Sequence, residues 1–379
     1  MKIVIAPDSF KESLSALQVA DAIEAGMREI WPDATYVKVP VADGGEGTVQ
    51  AMIDATGGRR VAVRVTGPLG QAVDAFYGVS GDLAVIEMAA ASGLEGVPPD
   101  LRDPCTATSR GTGELILSAL DAGARHFVLG VGGSATNDGG AGMLQALGVR
   151  LLDAAGKELG PGGAQLARLD RIDVSGLDPR VHEAEFRIAC DVDNPLIGPR
   201  GASAVFGPQK GATPAMVAQL DAALAHYADV IRRDLDQDIA HSPGAGAGGG
   251  IAAAMVVFLK GALRPGVEIV MEAVGLDAAV RDADLVVTGE GRIDGQTVHG
   301  KTPMGVAHVA RRHGKPVVAI GGSLAADADA VHAHGIEVVM AAVARPCTVA
   351  EALAAGADNL RRAARNLAAA LALGGRLQQ

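Results

Sequence analysis

Aromatic residues are scarce in this chain: one Trp, three Tyr and six Phe make up 3% of 379 residues. Aliphatic side chains fill the gap, since 49% of the chain is hydrophobic and a sizeable core is available by composition. Cysteine is nearly absent. Cys105, Cys190 and Cys347 are far apart and odd in number, which excludes a disulfide framework or a metal-ligand spacing and fits a reducing cytoplasm. Long apolar runs are missing. The longest, 251–259, stops at Lys260, well short of the ~18 residues that a membrane span needs. The N-terminal apolar run is too short for a signal peptide. Basic blocks are missing as well. A net charge of −11 without a basic cluster excludes a nucleic-acid footprint. The length itself predicts about two domains.

What the chain does have is glycine, 51 residues gathered in loops rather than repeated at a period, which excludes a collagen-like sequence. The densest cluster lies in 127–143, FVLGVGGSATNDGGAGM. An apolar strand at 127–129 enters a loop with six glycines that carries Ser134, Thr136, Asn137 and Asp138. A helix follows near Gly142. Glycine lets backbone N–H groups approach closely, and a helix N-terminus favours negative charge, so α/β proteins hold anionic ligands this way. A plain strand-to-helix turn needs one or two glycines.

The N-terminal segment predicts a doubly wound start. Residues 2–6, KIVIA, read as a buried strand, and 7–11 as the loop after it. Ser15 with Gln18 is a capping box, and Val19, Ile23, Met27 and Ile30 give one helical face. A second strand at 36–41 ends in the loop 42–48, and a helix runs to about Thr56. Ligands in such sheets bind at the carboxyl ends of strands, where Asp8, Ser9, Lys11, Asp43 and Glu46 lie. At Gly57 the texture changes to a meander, with strands at 61–65, 73–79 and 84–88. Residues 149–152 and the turn 154–157 read as a hairpin. A strand at 186–190 ends in Asp191-Val192-Asp193-Asn194-Pro195, and 243–250 is a second glycine loop. From Ala283 the α/β texture returns, with strands at 285–287, 317–320 and 338–341. Thr302-Pro303 starts one helix there, and Thr348 with Glu351 caps another. The expected fold class is α/β. A discontinuous doubly wound parallel-sheet domain of Rossmann or flavodoxin type covers 1–57 and 283–379. An inserted mixed α/β domain with hairpins covers 58–282.

Two motif spellings compete for a ligand. Residues 130–135 fit the dinucleotide fingerprint G-x-G-x-x-A, with Asp153 following, which would make the chain an NAD-dependent hydroxy-acid dehydrogenase. Against it, Asn137-Asp138-Gly139-Gly140 holds a loop where the fingerprint needs a helix. Residues 295–302, GQTVHGKT, spell a Walker A motif. A P-loop follows its strand directly, whereas the strand here is expected to end near Thr288, with 289–294 intervening. Lys301 on a phosphate by another geometry is the stronger expectation.

The acidic loop residues carry more. Asp43, Glu46, Asp138, Asp191, Asp193, Glu290 and Asp294 all fall in loops after expected strands, and Lys11, Arg110, Lys210, Arg292 and Lys301 share such loops. Each alone fits a solvated turn. Together they fit phosphoryl transfer, which needs one carboxylate to hold Mg²⁺, one to accept a hydroxyl proton, and cations to neutralise the phosphate. His299 is the one histidine in a glycine-rich loop, and a surface role outweighs catalysis for it. Cys190 reads as a buried strand end. No G-x-S-x-G elbow is present, which argues against a serine hydrolase of that kind.

At these residues the chain resembles a known family. Asp8-Ser9-Phe10-Lys11, Ala42-Asp43-Gly44-Gly45-Glu46-Gly47-Thr48 and the stretch 132–140 look like the bacterial glycerate kinases of class one, the glycerate 2-kinase branch. The stretches 190–196, 206–211, 288–294 and 300–303 extend the likeness across the whole chain. The resemblance implies ATP-dependent phosphorylation of D-glycerate to 2-phosphoglycerate, with ATP and Mg²⁺ as cofactors and 3-phosphoglycerate as the alternative product. It implies two α/β domains with the active site in the cleft between them. The partner is then a small-molecule substrate rather than nucleic acid or membrane, in a cytoplasmic monomer or homodimer.

The same resemblance suggests residue roles. Lys11 and Arg110 would clamp the glycerate carboxylate, Lys11 counting also as catalytic, with Ser9 and Asp8 on the substrate. Asp191 would be the general base, and Asp193, Glu290 or Asp294 would lie near Mg²⁺. Gly132, Gly133, Ser134, Asn137, Asp138, Gly139 and Lys301 would hold ATP. A non-catalytic sugar-acid sensor using the same groups is a further alternative.

Overall fold

Runs of branched aliphatic residues become the strands of the computed structural model, which describes residues 1–45, 47–298 and 300–377. In chain order these are β1 (Lys2–Ile5), β2 (Thr35–Lys38), β3 (Arg59–Thr66), β4 (Ala72–Ser80) and β5 (Leu83–Glu87). They continue with β6 (His126–Gly130), β7 (Arg150–Leu152), β8 (Arg171–Asp173), β9 (Glu185–Ala189) and β10 (Ala262–Arg264). The last are β11 (Leu285–Ile293), β12 (Val317–Leu324) and β13 (Val338–Ala341). The chain divides into two units, Met1–Gly57 with Val267–Gln379, and Gly58–Gly266.

The first unit is a parallel sheet in the order β13-β12-β11-β1-β2. The chain leaves β1 toward β2 and resumes on the other side at β11, so the strand order reverses between β1 and β11. In an open α/β sheet that is where ligands bind, at the carboxyl ends. The capping box at Ser15 and Gln18 starts the helix Ala16–Arg28, whose Val19, Ile23 and Met27 are buried against Leu360, Ala364 and Leu367 of the helix Gly356–Leu377. A Cβ on Gly26 would collide with the Arg361 carbonyl, so the two helices meet backbone to backbone.

One expectation is corrected in this unit. The strand expected to end near Thr288 runs to Ile293, because β12 extends beside it and pairs Glu290 with Gly321 and Ile293 with Leu324. Gly289 and Gly291, which read as loop in sequence, lie inside the ladder. The stretch 295–302 therefore comes almost directly after its strand and leads into the helix Thr302–Arg312. The compact unit that contains this helix resumes at Val267. Gly305 leaves room for Val267 and Met271, so the helix Gly266–Ala273 packs on the helix Thr302–Arg312.

The second unit holds a mixed sheet in the order β10-β9-β6-β5-β4-β3. Its β3, β4 and β5 are the expected antiparallel meander, while β5, β6, β9 and β10 run parallel. The helix Arg110–Asp121 is the crossover from β5 to β6 and buries Leu115, Ile116 and Leu120. Phe127 and Phe186 stack at 4.7 Å between neighbouring strands of the same core. The expected hairpin at 149–157 has its first strand at β7 and its turn closed by Asp153 N–H on the Lys157 carbonyl at 2.8 Å. Past the turn Leu152 bridges Glu158 and Leu159 N–H reaches the Leu151 carbonyl at 2.8 Å, while β7 takes β8 as its antiparallel strand partner. Asp153 accepts the N–H groups of Ala155 and Lys157 and closes the turn tightly. Among the described residues no helix is long and apolar enough to cross a membrane.

Candidate active site

In the first unit the site grows from the end of β1. The pairing of β1 with β11 continues past the strand, as Ala6 N–H reaches the Val287 carbonyl at 2.7 Å and Asp8 N–H the Gly289 carbonyl at 2.8 Å. This fixes the Asp8 side chain at the strand crossing point. Its Oδ1 accepts the Ser9 N–H at 2.6 Å, and its Oδ2 accepts the Thr302 hydroxyl at 2.5 Å. Burial pushes the Asp8 carboxyl up to about 6, Asp43 adds to the rise, and the Thr302 and Ser9 hydrogen bonds oppose it.

Glu290, on β11, accepts the Thr297 hydroxyl at 2.6 Å and lies 3.6 Å from the Lys301 ammonium. Burial raises its carboxyl to about 6 as well, against the pull of Thr297 and Lys301. Asp294 behaves oppositely. Its partial burial works upward, but Lys301 at 3.4 Å, the Gln296 N–H and Arg292 hold it below the usual carboxylate range. Lys301 is the N-cap of the helix Thr302–Arg312, so its ammonium and the helix N-terminus both lie at this cluster. Lys11 is presented by a tight loop closed by mutual backbone hydrogen bonds of Phe10 and Leu14, and it makes no ion pair among the described residues. A cavity of about 520 Å³ opens here, with Asp8, Ser9, Lys11, Asp43, Glu290 and Lys301 at its polar end.

The second unit holds the remaining expected residues. Asp138 is fully buried. It accepts the Ser109 N–H and hydroxyl at 2.9 and 2.8 Å, the Gly140 N–H at 3.1 Å and the Gly142 N–H at 3.2 Å. Burial raises its carboxyl and those four bonds counter the rise. Asn137 donates to the Ser203 hydroxyl at 2.9 Å. Ser134 receives the Lys210 ammonium at 2.7 Å, and the same ammonium reaches the Thr136 carbonyl at 2.7 Å. Lys210 is itself buried, which lowers its ammonium to about 7 although Asp138 works the other way.

The side chains of Ser134, Asn137 and Asp138 thus point into their own unit. The glycines of this loop serve close packing for the same reason. Gly139 N–H bonds the Gly249 carbonyl at 3.0 Å, and a Cβ on Gly249 would collide with the Thr136 carbonyl. The two glycine loops lie backbone against backbone. Gly132 and Gly133 alone within 132–140 are exposed, with open space above Gly132. The sequence places Lys210 among the loop cations expected to neutralise phosphate, whereas it is buried, and it does not single out Ser109. No local pattern signals either, because Lys210 serves the Ser134 hydroxyl and the Thr136 carbonyl and Ser109 serves the Asp138 carboxylate, all far away in sequence.

The other expected residues are held less tightly. Arg110 opens the helix Arg110–Asp121 and pairs with Glu114 at 3.1 Å, while Glu114 also accepts the Thr66 N–H and hydroxyl. Asp191 follows β9, is exposed, and accepts the Gly266 N–H at 3.0 Å. Asp193 is paired with Arg200 at 2.7 Å on the surface. Cys190 has its thiol raised by burial, which disfavours a thiolate. Glu46 and His299 lie outside the described residues.

Among the described residues no three His, Cys, Asp or Glu are grouped to hold a metal by themselves. Mg²⁺ asks for less, because it keeps waters and takes one or two carboxylates beside substrate phosphates. The all-oxygen set of Asp8, Glu290 and the Thr302 hydroxyl fits that demand.

The model of the glycerate kinase family matches residues 3–372. The chain is 58% identical over 376 residues to glycerate 2-kinase of Escherichia coli, covering 99% of each. It is 56% identical over 375 residues to glycerate kinase of Bacillus subtilis, covering 98% of each. A crystal structure described as glycerate kinase 2 from Salmonella typhimurium superposes with a TM-score of 0.93 at 59% identity, over 99% of both chains.

Proposed function

This chain belongs to the glycerate kinase family, and on that footing we propose that it transfers the terminal phosphoryl group of ATP to the 2-hydroxyl of D-glycerate. One observation carries the choice of position: the full-length identity of 58% to the Escherichia coli glycerate 2-kinase. The 3-kinase alternative has no comparable support. In the dehydrogenase alternative the fingerprint glycines should lead straight into a helix, whereas here the helix Ala141–Ala146 begins only after Gly140.

The transfer forms a bond between the glycerate 2-oxygen and the γ-phosphorus and breaks the γ-phosphorus bond to the bridging oxygen of ADP. The hydroxyl proton goes to a carboxylate. Asp191 is the base in this reading, since it is exposed after β9. Lys11, with no ion pair among the described residues, and Arg110 hold the glycerate carboxylate, helped by Ser9. Lys301 faces the phosphates from a helix N-terminus. From the glycine loop the phosphate contacts are left to the exposed Gly132 and Gly133 backbone, because the Ser134, Asn137 and Asp138 side chains are used internally. Asp8 and Glu290, with Asp294 beside them, would hold Mg²⁺, while Asp193 is engaged by Arg200. When bound, Mg²⁺ neutralises phosphate charge as it builds on the leaving group. Three free cysteines fit a cytoplasmic setting.

The test is incubation with ATP, Mg²⁺ and D-glycerate, with ³¹P NMR to resolve the products. Glycerate-dependent ADP and 2-phosphoglycerate are expected. A 3-phosphoglycerate product overturns the position, and the absence of ADP overturns the kinase reading.

A further inference from the structure

The cavity of the first unit is larger than its expected acid needs. Its polar end already gathers the charged groups described above, yet its volume is about 520 Å³. A three-carbon acid would leave most of that space bare, whereas the size suits a ligand of nucleotide dimensions. The rest of the wall has a different chemistry. Beyond Gly322 and Ser323, at the carboxyl end of β12, it is formed by Ala342, Val343, Val349, Ala352 and Leu353. These are aliphatic, and the Asn359 amide lines the same end without a side-chain hydrogen bond among the described residues. A purine has two apolar faces and a polar edge. It needs apolar walls with one donor-acceptor group, and an amide supplies both functions.

The location agrees. The apolar end lies past the carboxyl ends of β12 and β13, on the side of a doubly wound sheet where ligands bind. The stretch 295–302 leads from β11 into the helix Thr302–Arg312 and sets Lys301 at the polar end of the same cavity. In the second unit, by contrast, the fingerprint-like loop has its polar side chains buried.

We propose that this cavity seats the nucleoside of the ATP co-substrate, with the purine between Val343, Val349 and Leu353, its edge read by Asn359, and the phosphate chain directed to Lys301. The proposal rests on the kinase reading for the identity of the ligand. Every wall residue it uses belongs to the first unit. The wall that the base would meet at this end is aliphatic, and Phe10 is the aromatic residue that also lines the cavity.

Calorimetric titration with ATP, adenosine and inorganic tripolyphosphate tests it on the whole protein. Val343→Glu should weaken ATP more than 10-fold and leave tripolyphosphate unchanged. Asn359→Ala, a surface-compatible second variant, should reduce the preference for ATP over GTP at least threefold. Photolabelling with 8-azido-ATP should mark peptides within 342–359, which decides the matter if Val343→Glu fails to fold. Label confined to 130–140, or ATP binding unaltered in both folded variants, overturns the proposal. Product analysis on the unaltered chain keeps the two readings apart. Turnover with unaltered ATP binding in the variants removes only the cavity assignment. Displaced ATP binding without glycerate turnover removes only the proposed reaction.

Discussion

The Thr302 hydroxyl donates a 2.5 Å hydrogen bond to Asp8 Oδ2, so the end of β1 and the first turn of the helix Thr302–Arg312 hold one carboxylate in common. The bond favours the ionised form, against a burial that drives the Asp8 carboxyl to about 6. Thr302→Val should therefore raise the acid limb of the pH profile of kcat above pH 6 and cut turnover near pH 7, with recovery in alkali. Thr302→Ser should restore the profile. An acid limb that stays in place would take Asp8 out of the rate. The same shift bears on stability with a definite sign. Asp8 and Glu290 have folded values near 6 against ordinary values of 3.8 and 4.5. Their share of stability is full in acid below those ordinary values and is lost as pH rises through about 6. Asp8→Asn should melt higher, relative to the unaltered chain, above pH 6 than at pH 4.

Asp191 is the proposed base, and its exposed setting makes a clean substitution possible. Asp191→Asn should lower kcat by roughly 10²–10⁴ with an unchanged fold, the usual worth of general-base catalysis. Single-turnover kinetics with circular dichroism as the fold control checks this. If turnover stays near normal, the proton goes elsewhere, and Asp8 becomes the group to replace next.

Lys11 makes no ion pair among the described residues and stands at the polar end of the cavity. A buried-side carboxylate contact with an ammonium is a charge-assisted bond, about 1.5–3 kcal/mol. Lys11→Met should thus raise KM for D-glycerate roughly 10-fold or more while KM for ATP moves little. Equal effects on the two constants would place Lys11 on the phosphates.

Lys210 ties Ser134 to the Thr136 carbonyl inside the second unit. Lys210→Ala should destabilise the protein by about 3 kcal/mol in urea unfolding, from the cavity and from two acceptors left without a donor. Lys210→Met should recover part of that by refilling the space. The buried ammonium titrates near 7 against its ordinary 10.5. Its stability share is full in alkali above 10.5 and declines as pH falls toward about 7. The gap between the unaltered chain and Lys210→Met should accordingly narrow or reverse from about pH 9 to pH 7.

The sequence was most legible where local chemistry decides structure. Both capping boxes, Ser15 with Gln18 and Thr348 with Glu351, stand as read, because each is settled within four residues. The meander of β3 to β5 was legible from alternation and turns. The end of β11 was not, since Gly289 and Gly291 spell a loop, and only the neighbouring β12 keeps them extended. The glycine loop at 130–140 was legible as a loop but not in its purpose. Its polar side chains meet Ser109, Ser203 and Lys210, which lie far away in sequence, and no local pattern announces such partners. Of the candidate site, Asp8 was legible as a residue just past β1, whereas Glu290 was expected in a loop and lies inside β11. Their raised ionisation came only with the burial that folding imposes.

The reversal of strand order around β1 has a consequence for biosynthesis. Translation delivers β1 and β2 first, but β11, which completes the other flank of β1, only after the whole of Gly58–Gly266 has emerged. At about 5–20 residues per second, β1 waits on the order of 10 s or more on the ribosome with one edge unpaired. The uninterrupted unit has its full sequence in hand during that interval, so it is free to fold first. Asp8 acquires Thr302 as its partner among the last events of synthesis. Phosphoryl-transfer competence is in this sense withheld from every nascent chain that stops short of its C-terminal third.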